Sequence, residues 1–147
     1  MFSTGLSIVG GNAYAFAIWY TWTLERTIPW VANGEHPINE RNSGLHLVKD
    51  GNLLLWDADG SVVWSTKNSN MNVMKVVCLE TRNMALLRND HEFVWESFQY
   101  PTDTLLPLQL LRNNQQLILR LWRDNPFKQG YYHLYFDSDN VLQLLYQ

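Results

Sequence analysis

The chain has 147 residues, with eleven Lys and Arg against fourteen Asp and Glu and a net charge of -3. Hydrophobic residues make up 46% and aromatic residues 14%, including seven Trp, which excludes a disordered chain and points to one compact domain with many large rings to bury or to use in binding. The basic residues are spread along the sequence instead of clustered, which excludes the electrostatic footprint of a nucleic-acid or anionic-membrane binder.

Met1 is followed by "FSTGLSIVGG", which has neither the charged start nor the apolar stretch of a secretory signal. No run approaches the ~20 apolar residues of a membrane helix. The sequence as written is therefore expected to carry no export or anchoring information. Short alternating runs bounded by Gly, Asn, Asp and Pro then recur to the end with little helical periodicity, so the expected class is all-β. Strands are predicted over "YAFAIWYTW" (14–22), "GLHLVKDGNLLLW" (44–56), "SVVWST" (61–66), "NVMKVVCLE" (72–80), "MALLR" (84–88) and "FVWESF" (93–98). Cys78, the single cysteine, reads as a small buried strand residue, and no intrachain disulfide is possible. The sequon Asn-x-Ser/Thr is absent.

An internal repeat organises these runs. Asn52 precedes Trp64 by twelve residues and Asn83 precedes Trp95 by twelve, each pair enclosing a strand, a polar turn and a return strand ending in "VVW" or "FVW". "IPWVAN" places Trp30 thirty-four residues before Trp64, which lies thirty-one before Trp95. Three hairpin units with one Trp at the same point of each return strand predict an indole cluster on a pseudo-threefold axis. "ESFQYPTDTLLPLQ" follows, where Pro101 and Pro107 interrupt pairing and predict an irregular strap. "QLILRLWRDNPFKQGYYHLYFDSDNVLQLLYQ" resumes the alternation, with Asn125-Pro126 and Asp137-Ser138-Asp139-Asn140 read as turns and a last strand without a closing partner.

"AIWYTW", "IPWVANGEHPIN", "LVKDGNLLLWDADGSVVWST" and "VWESFQYPTDTLLPLQ" together resemble the bulb-type (monocot mannose-binding) lectin domain of plant S-domain, or G-type lectin, receptor-like serine/threonine kinases; "GYYHLYFDSDNVLQLLY" is similar to their maize-type subgroup. The resemblance implies a β-prism II fold, three antiparallel sheets in pseudo-threefold arrangement around a tryptophan-lined axis, with residues 1–107 as the lectin domain. Residues 108–147 would be a C-terminal β extension or the start of a following lectin-like module. It also implies a missing leading strand and a chain that is a fragment or truncated relative of a receptor.

In such lectins mannose is held by Gln-x-Asp-x-Asn-x-Val-x-Tyr, five side chains that period 2 puts on one strand face. The second repeat offers Val48, Asp50, Asn52, Leu54 and Trp56 there, so the resemblance makes Asp50, Asn52, Leu54 and Trp56 the candidate carbohydrate-binding residues. Val48 has no polar group and Trp56 has one donor in place of a phenol. Two lost hydrogen bonds at about 1 kcal/mol each take about thirtyfold from a millimolar site worth only about 4 kcal/mol. The third repeat aligns as Leu79, Thr81, Asn83, Ala85 and Leu87, and the first as Tyr14, Phe16, Ile18, Tyr20 and Trp22, an apolar, aromatic face suited to packing on another module or chain, or to ring stacking on a ligand. The competing reading of Asp50 and Asn52 is turn chemistry, since "KDGN" suits a turn whatever the function.

No catalytic residue, cofactor or metal site is expected. Asp57-Ala58-Asp59-Gly60 lacks the later ligands of a calcium loop and reads as a hairpin turn. His36, His46, His91 and His133 have no ligand spacing. The partners expected are mannose-type glycans, or otherwise a protein partner or a second copy met by a sugar-silent scaffold. By resemblance the setting is the extracellular side of the plasma membrane, or secretion, in full-length relatives.

Overall fold

The computed structural model describes residues 1–39, 41–121 and 125–147. Within them the chain forms β1 (Phe2–Gly10), β2 (Ala13–Tyr20), β3 (Trp30–Val31), β4 (Gly44–Leu47), β5 (Leu53–Trp56), β6 (Val62–Ser65), β7 (Lys75–Cys78), β8 (Met84–Asn89), β9 (Glu92–Glu96), β10 (Gln115–Leu121), β11 (Asn125–Phe136) and β12 (Leu142–Tyr146), with a 3-10 turn over Ser97–Gln99. The strands build four antiparallel three-stranded sheets in chain order: β1-β2-β3, β4-β5-β6, β7-β8-β9 and β10-β11-β12.

The first three sheets are one unit repeated. Ile18 pairs with Trp30, Leu55 with Trp64 and Leu86 with Trp95, so each central strand sets an aliphatic side chain beside the indole of its return strand. The three indoles meet with ring centroids 6.2 Å (Trp30–Trp64), 6.1 Å (Trp30–Trp95) and 5.7 Å (Trp64–Trp95) apart, at steep interplanar angles suited to edge-to-face attraction. Phe16, Ile18, Leu53, Leu55, Met84 and Leu86 close the core around them. This is the expected all-β prism.

Three details differ from the sequence reading. Residues 2–10, outside the predicted strands, form β1 and pair with β2 from Phe2↔Tyr20 to Gly10↔Ala13. In β2 the face assigned to Tyr14, Phe16, Ile18, Tyr20 and Trp22 is not an outer docking face: Phe16 and Ile18 are buried in the indole core, and by pairing it is Ala13, Ala15, Ala17 and Trp19 that correspond to Asp50, Asn52, Leu54 and Trp56. "AYAFAIWY" is apolar at both parities, so alternation alone could not choose its inward side. Ala15 and Ala17 are in turn sealed under Ile28 and Val31. Asn125-Pro126, read as a turn, opens β11.

Asx hydrogen bonds close the turns at Asp50, Asp59, Asn89 and Asp137. Between β5 and β6 the Asp57 N–H donates to Ser61 O and Gly60 N–H to Asp57 O, both at 2.9 Å, while Asp59 Oδ1 accepts from Ser61 N–H at 2.8 Å. Gly60 takes the left-handed φ of +84° that the turn needs. Asp57 also ties this turn to the preceding loop, accepting from the Asn39 N–H at 2.9 Å and from the Ala58 N–H at 2.7 Å. Those donors hold its carboxyl below the ordinary aspartate value, Asn39 contributing most. A carboxyl depressed on folding stabilises above its unfolded pKa, about 3.9, and that contribution disappears as pH falls through the folded value. An NMR pH titration should therefore give Asp57 a midpoint below 3.9, with the Asn39 amide resonance moving at the same midpoint; an Asp57→Asn variant should lack that acid-side transition.

The strap after the third sheet joins it to the first. Trp30 Nε1 donates to Tyr100 O at 3.0 Å, Thr102 Oγ1 donates to Pro29 O at 3.2 Å, and Tyr100 stacks on Trp95 at 5.5 Å and 13°. The fourth sheet copies the second-sheet turn: Asp137 N–H donates to Val141 O, and Asn140 takes φ +62° where Gly60 stands. Its outer strand β12 exposes Leu142, Leu144 and Tyr146, whose ring meets Tyr131 and Tyr132 at 5.8 and 5.4 Å.

Candidate functional site

The second sheet carries the candidate residues at the end of β4, the turn after it and β5. Strand pairing stops at Leu47↔Leu53, so Val48 to Asn52 form the turn: Val48 N–H donates to Asn52 O and Gly51 N–H to Val48 O, both at 2.9 Å. Gly51 sits at φ +96°, and a Cβ there would press on the Val73 backbone at 3.3 Å, so a glycine is required. Asp50 therefore lies in the turn and Leu54 and Trp56 on β5.

Asp50 is exposed. Its Oδ1 accepts from the Asn52 N–H at 2.8 Å and its Oδ2 from Asn52 Nδ2 at 3.1 Å, the backbone bond being the main cause of a carboxyl pKa below the ordinary value. Asn52 is 7% exposed and works inside the fold. Its Oδ1 accepts from Asn68 N–H at 2.7 Å, and its Nδ2 also donates to Ser69 Oγ. Asn68 Nδ2 in turn donates to Gly51 O at 2.7 Å, and Thr66 Oγ1 accepts from Leu53 N–H at 3.0 Å while donating to Asn68 Oδ1. The loop after β6 is thus laced to the turn before β5.

Leu54 is half-buried and Trp56 is 37% exposed, with its ring 5.1 Å from that of His46. Cross-strand pairing of His46 and Ser65 with Leu54 puts both beside it on the outer face. The structure brings Leu54 and Trp56 together with His46 on the second sheet, with Asp50 exposed in the turn at the end of that sheet and Asn52 buried beneath the turn. His46 was findable: it and Leu54 each lie four residues from Asp50 of the "KDGN" turn.

The third repeat shows what the asparagine does. Leu79 N–H donates to Asn83 O and Arg82 N–H to Leu79 O, reproducing the second-repeat turn, and Asn83 is again buried. Its Oδ1 accepts from Phe98 N–H at 3.2 Å and Ser97 Oγ at 3.3 Å, and Nδ2 donates to Glu96 Oε1 at 2.7 Å. The same residue clamps strand to return loop where Thr81 replaces the aspartate and buried Ala85 and Leu87 leave no polar face. The clamp is a property of the fold, and exposed Asp50 and Trp56 are what distinguish the second sheet.

A family model described as D-mannose binding lectin matches residues 27–123. The chain belongs to this lectin family. Over 151 aligned residues, 99% of this lectin chain and 18% of the relative, it is 36% identical to the putative receptor protein kinase ZmPK1 of Zea mays. Two Arabidopsis thaliana relatives are the G-type lectin S-receptor-like serine/threonine-protein kinases B120, 36% identical over 78% of the chain and 14% of the relative, and SD3-1, 30% identical over 92% and 18%. The lectin chain spans less than a fifth of the length of these relatives. Among the described residues no helix is long and apolar enough to cross a membrane.

Proposed function

We propose that the chain is the glycan-recognition module of a receptor-kinase ectodomain on the outer side of the plasma membrane, with one mannose-type subsite on the second sheet. The observation that carries this reading is that the second sheet alone of the three repeats keeps, at the motif positions, an exposed carboxylate, Asp50 in its turn, together with an exposed ring, Trp56 on β5. A hexose offers hydroxyls to a carboxylate and an axial C–H face to an aromatic ring, the two kinds of group that Asp50 and Trp56 supply. Leu54 replaces the valine that packs on the sugar, and Asn52 positions Asp50 through two hydrogen bonds. With two of the family's polar contacts replaced, a single mannose should bind about thirtyfold more weakly than a millimolar site, and affinity for a branched glycan would come from multivalency.

Titration with methyl α-mannoside, followed by NMR, tests this. Shifts are expected at Asp50, His46 and Trp56, and Asp50→Ala or Trp56→Ala should abolish them. No response at hundreds of millimolar would overturn the reading.

One observation favours a second reading: the Asn52 amide spends its hydrogen bonds within the chain. On that reading the domain is a sugar-silent scaffold that associates with a second copy. The uncharged edge strand β12 is suited to it, since antiparallel self-pairing about Leu144 would set Leu142 against Tyr146. Silence toward mannose together with a dimer mass in light scattering, lost in Leu144→Lys, would support this alternative.

A further inference from the structure

Beside the indole cluster lies a cavity of about 530 Å³, within the size range of small-ligand sites. Trp64 and Trp95 form part of its wall, and Tyr100, stacked on Trp95 and 53% exposed, forms another. Polar groups come from three separate segments: Glu35 after β3, Lys67 after β6 and Arg120 from β10. None of these belongs to the second-sheet set of Asp50, Leu54 and Trp56.

Arg120 is the most informative of them. Its Nη1 donates to Gly34 O at 2.7 Å, eighty-six residues away in sequence. The guanidinium lies where a Cβ on residue 34 would stand, so only glycine admits it. Among the described residues Nε is sealed from water with no acceptor. A buried donor without a partner is costly, so Arg120 is held at the cavity wall at some expense to the fold. Burial lowers the pKa of Arg120 and the charges of Asp103 and Glu35 oppose that, so the cation is kept beside carboxylates.

We propose that this axial cavity is a second saccharide subsite, taking one neutral pyranose unit whose ring lies on Tyr100 and whose hydroxyls are bracketed by Arg120 and Lys67 as donors and Glu35 as acceptor. The mixture of cations with a carboxylate against aromatic walls suits neutral hydroxyls, which need both donors and acceptors, better than a purely anionic ligand. The proposal rests on the reading of the domain as a glycan binder but places the contact beside the indole cluster, on Tyr100, Glu35, Lys67 and Arg120, none of them a candidate residue of the second sheet.

The experiment compares wild type with Arg120→Gln, Gly34→Ala, Lys67→Ala and Asp50→Ala, using methyl α-mannoside and a high-mannose oligosaccharide as probes and tryptophan emission with NMR shifts as readout. Urea unfolding of each variant checks that it is folded. Exposed Lys67 is the variant expected to leave the fold untouched. Shifts at Tyr100, Lys67 and Glu35 are expected. The oligosaccharide affinity should fall at least tenfold in Arg120→Gln and in Gly34→Ala, which keeps the charge but displaces it, and severalfold in Lys67→Ala. The axial shifts should persist in Asp50→Ala. Shifts confined to His46 and Trp56 and lost only in Asp50→Ala would overturn the axial subsite and leave the second-sheet reading standing. Preference for galacturonic acid over the neutral probes would overturn the assigned ligand class, and silence toward every probe would overturn both readings.

Discussion

Replacing Trp95 by alanine is expected to destabilise the domain by about 3–5 kcal/mol, the range for removing a large aromatic from a filled core. Trp95 is 5% exposed and contacts Trp30, Trp64 and Tyr100 at 6.1, 5.7 and 5.5 Å. Aromatic pairs of this geometry add about 0.5–1.5 kcal/mol each to the burial term. The surrounding sheets also have little room to collapse, because each is held by its own ladder and the strap is pinned through Tyr100 O to Trp30. Urea titration should show the midpoint lowered with the slope unchanged. A loss below about 1 kcal/mol would mean that the axis is not where this fold stores its stability. Trp64→Ala should cost less, since Trp64 is only partly buried.

Asn52→Ala should cost about 2–4 kcal/mol, while Asp50→Ala should stay within about 1 kcal/mol. The two residues are neighbours in the candidate sugar motif, yet their burdens differ. Removing the Asn52 amide strands the buried Asn68 N–H and releases Ser69. Asn68 holds Gly51 O and the Thr66 hydroxyl, so the loss spreads through a connected network. Asp50 is exposed, and water takes over its acceptor role. Denaturation of the two variants, with hydrogen exchange at Asn68, separates a structural asparagine from a ligand-binding aspartate. Equal and small effects would put Asn52 back among the groups free to meet a sugar.

Much of the prism was legible because its information is local. The spacing from Trp30 to Trp64 to Trp95 and the Asp, Asn and Gly turns between runs specify the hairpins and the ring that each buries. β1 was hidden because Leu6 and Ile8 are exposed and Gly5 interrupts the run, leaving no alternation that tracks burial. The inward side of β2 was hidden for the opposite reason, with apolar residues on both sides. At the candidate site the identities of Asp50 and Asn52 could be read but not their occupations. The partner that claims Asn52 is Asn68, sixteen residues downstream on a loop whose path depends on β6. The axial cavity was beyond reach: it exists only because β10 brings Arg120 back to Gly34.

The convergence of indoles also sets how this molecule comes into being. Trp30 and Trp95 are 65 residues apart in sequence, so their contact carries the entropy cost of closing a long loop. A nascent polypeptide halted before residue 95 would hold two sheets with their greasy inner surfaces wet. Assembly of such a topology belongs to the milliseconds-to-seconds regime of non-local β proteins, a window in which chaperones have time to act.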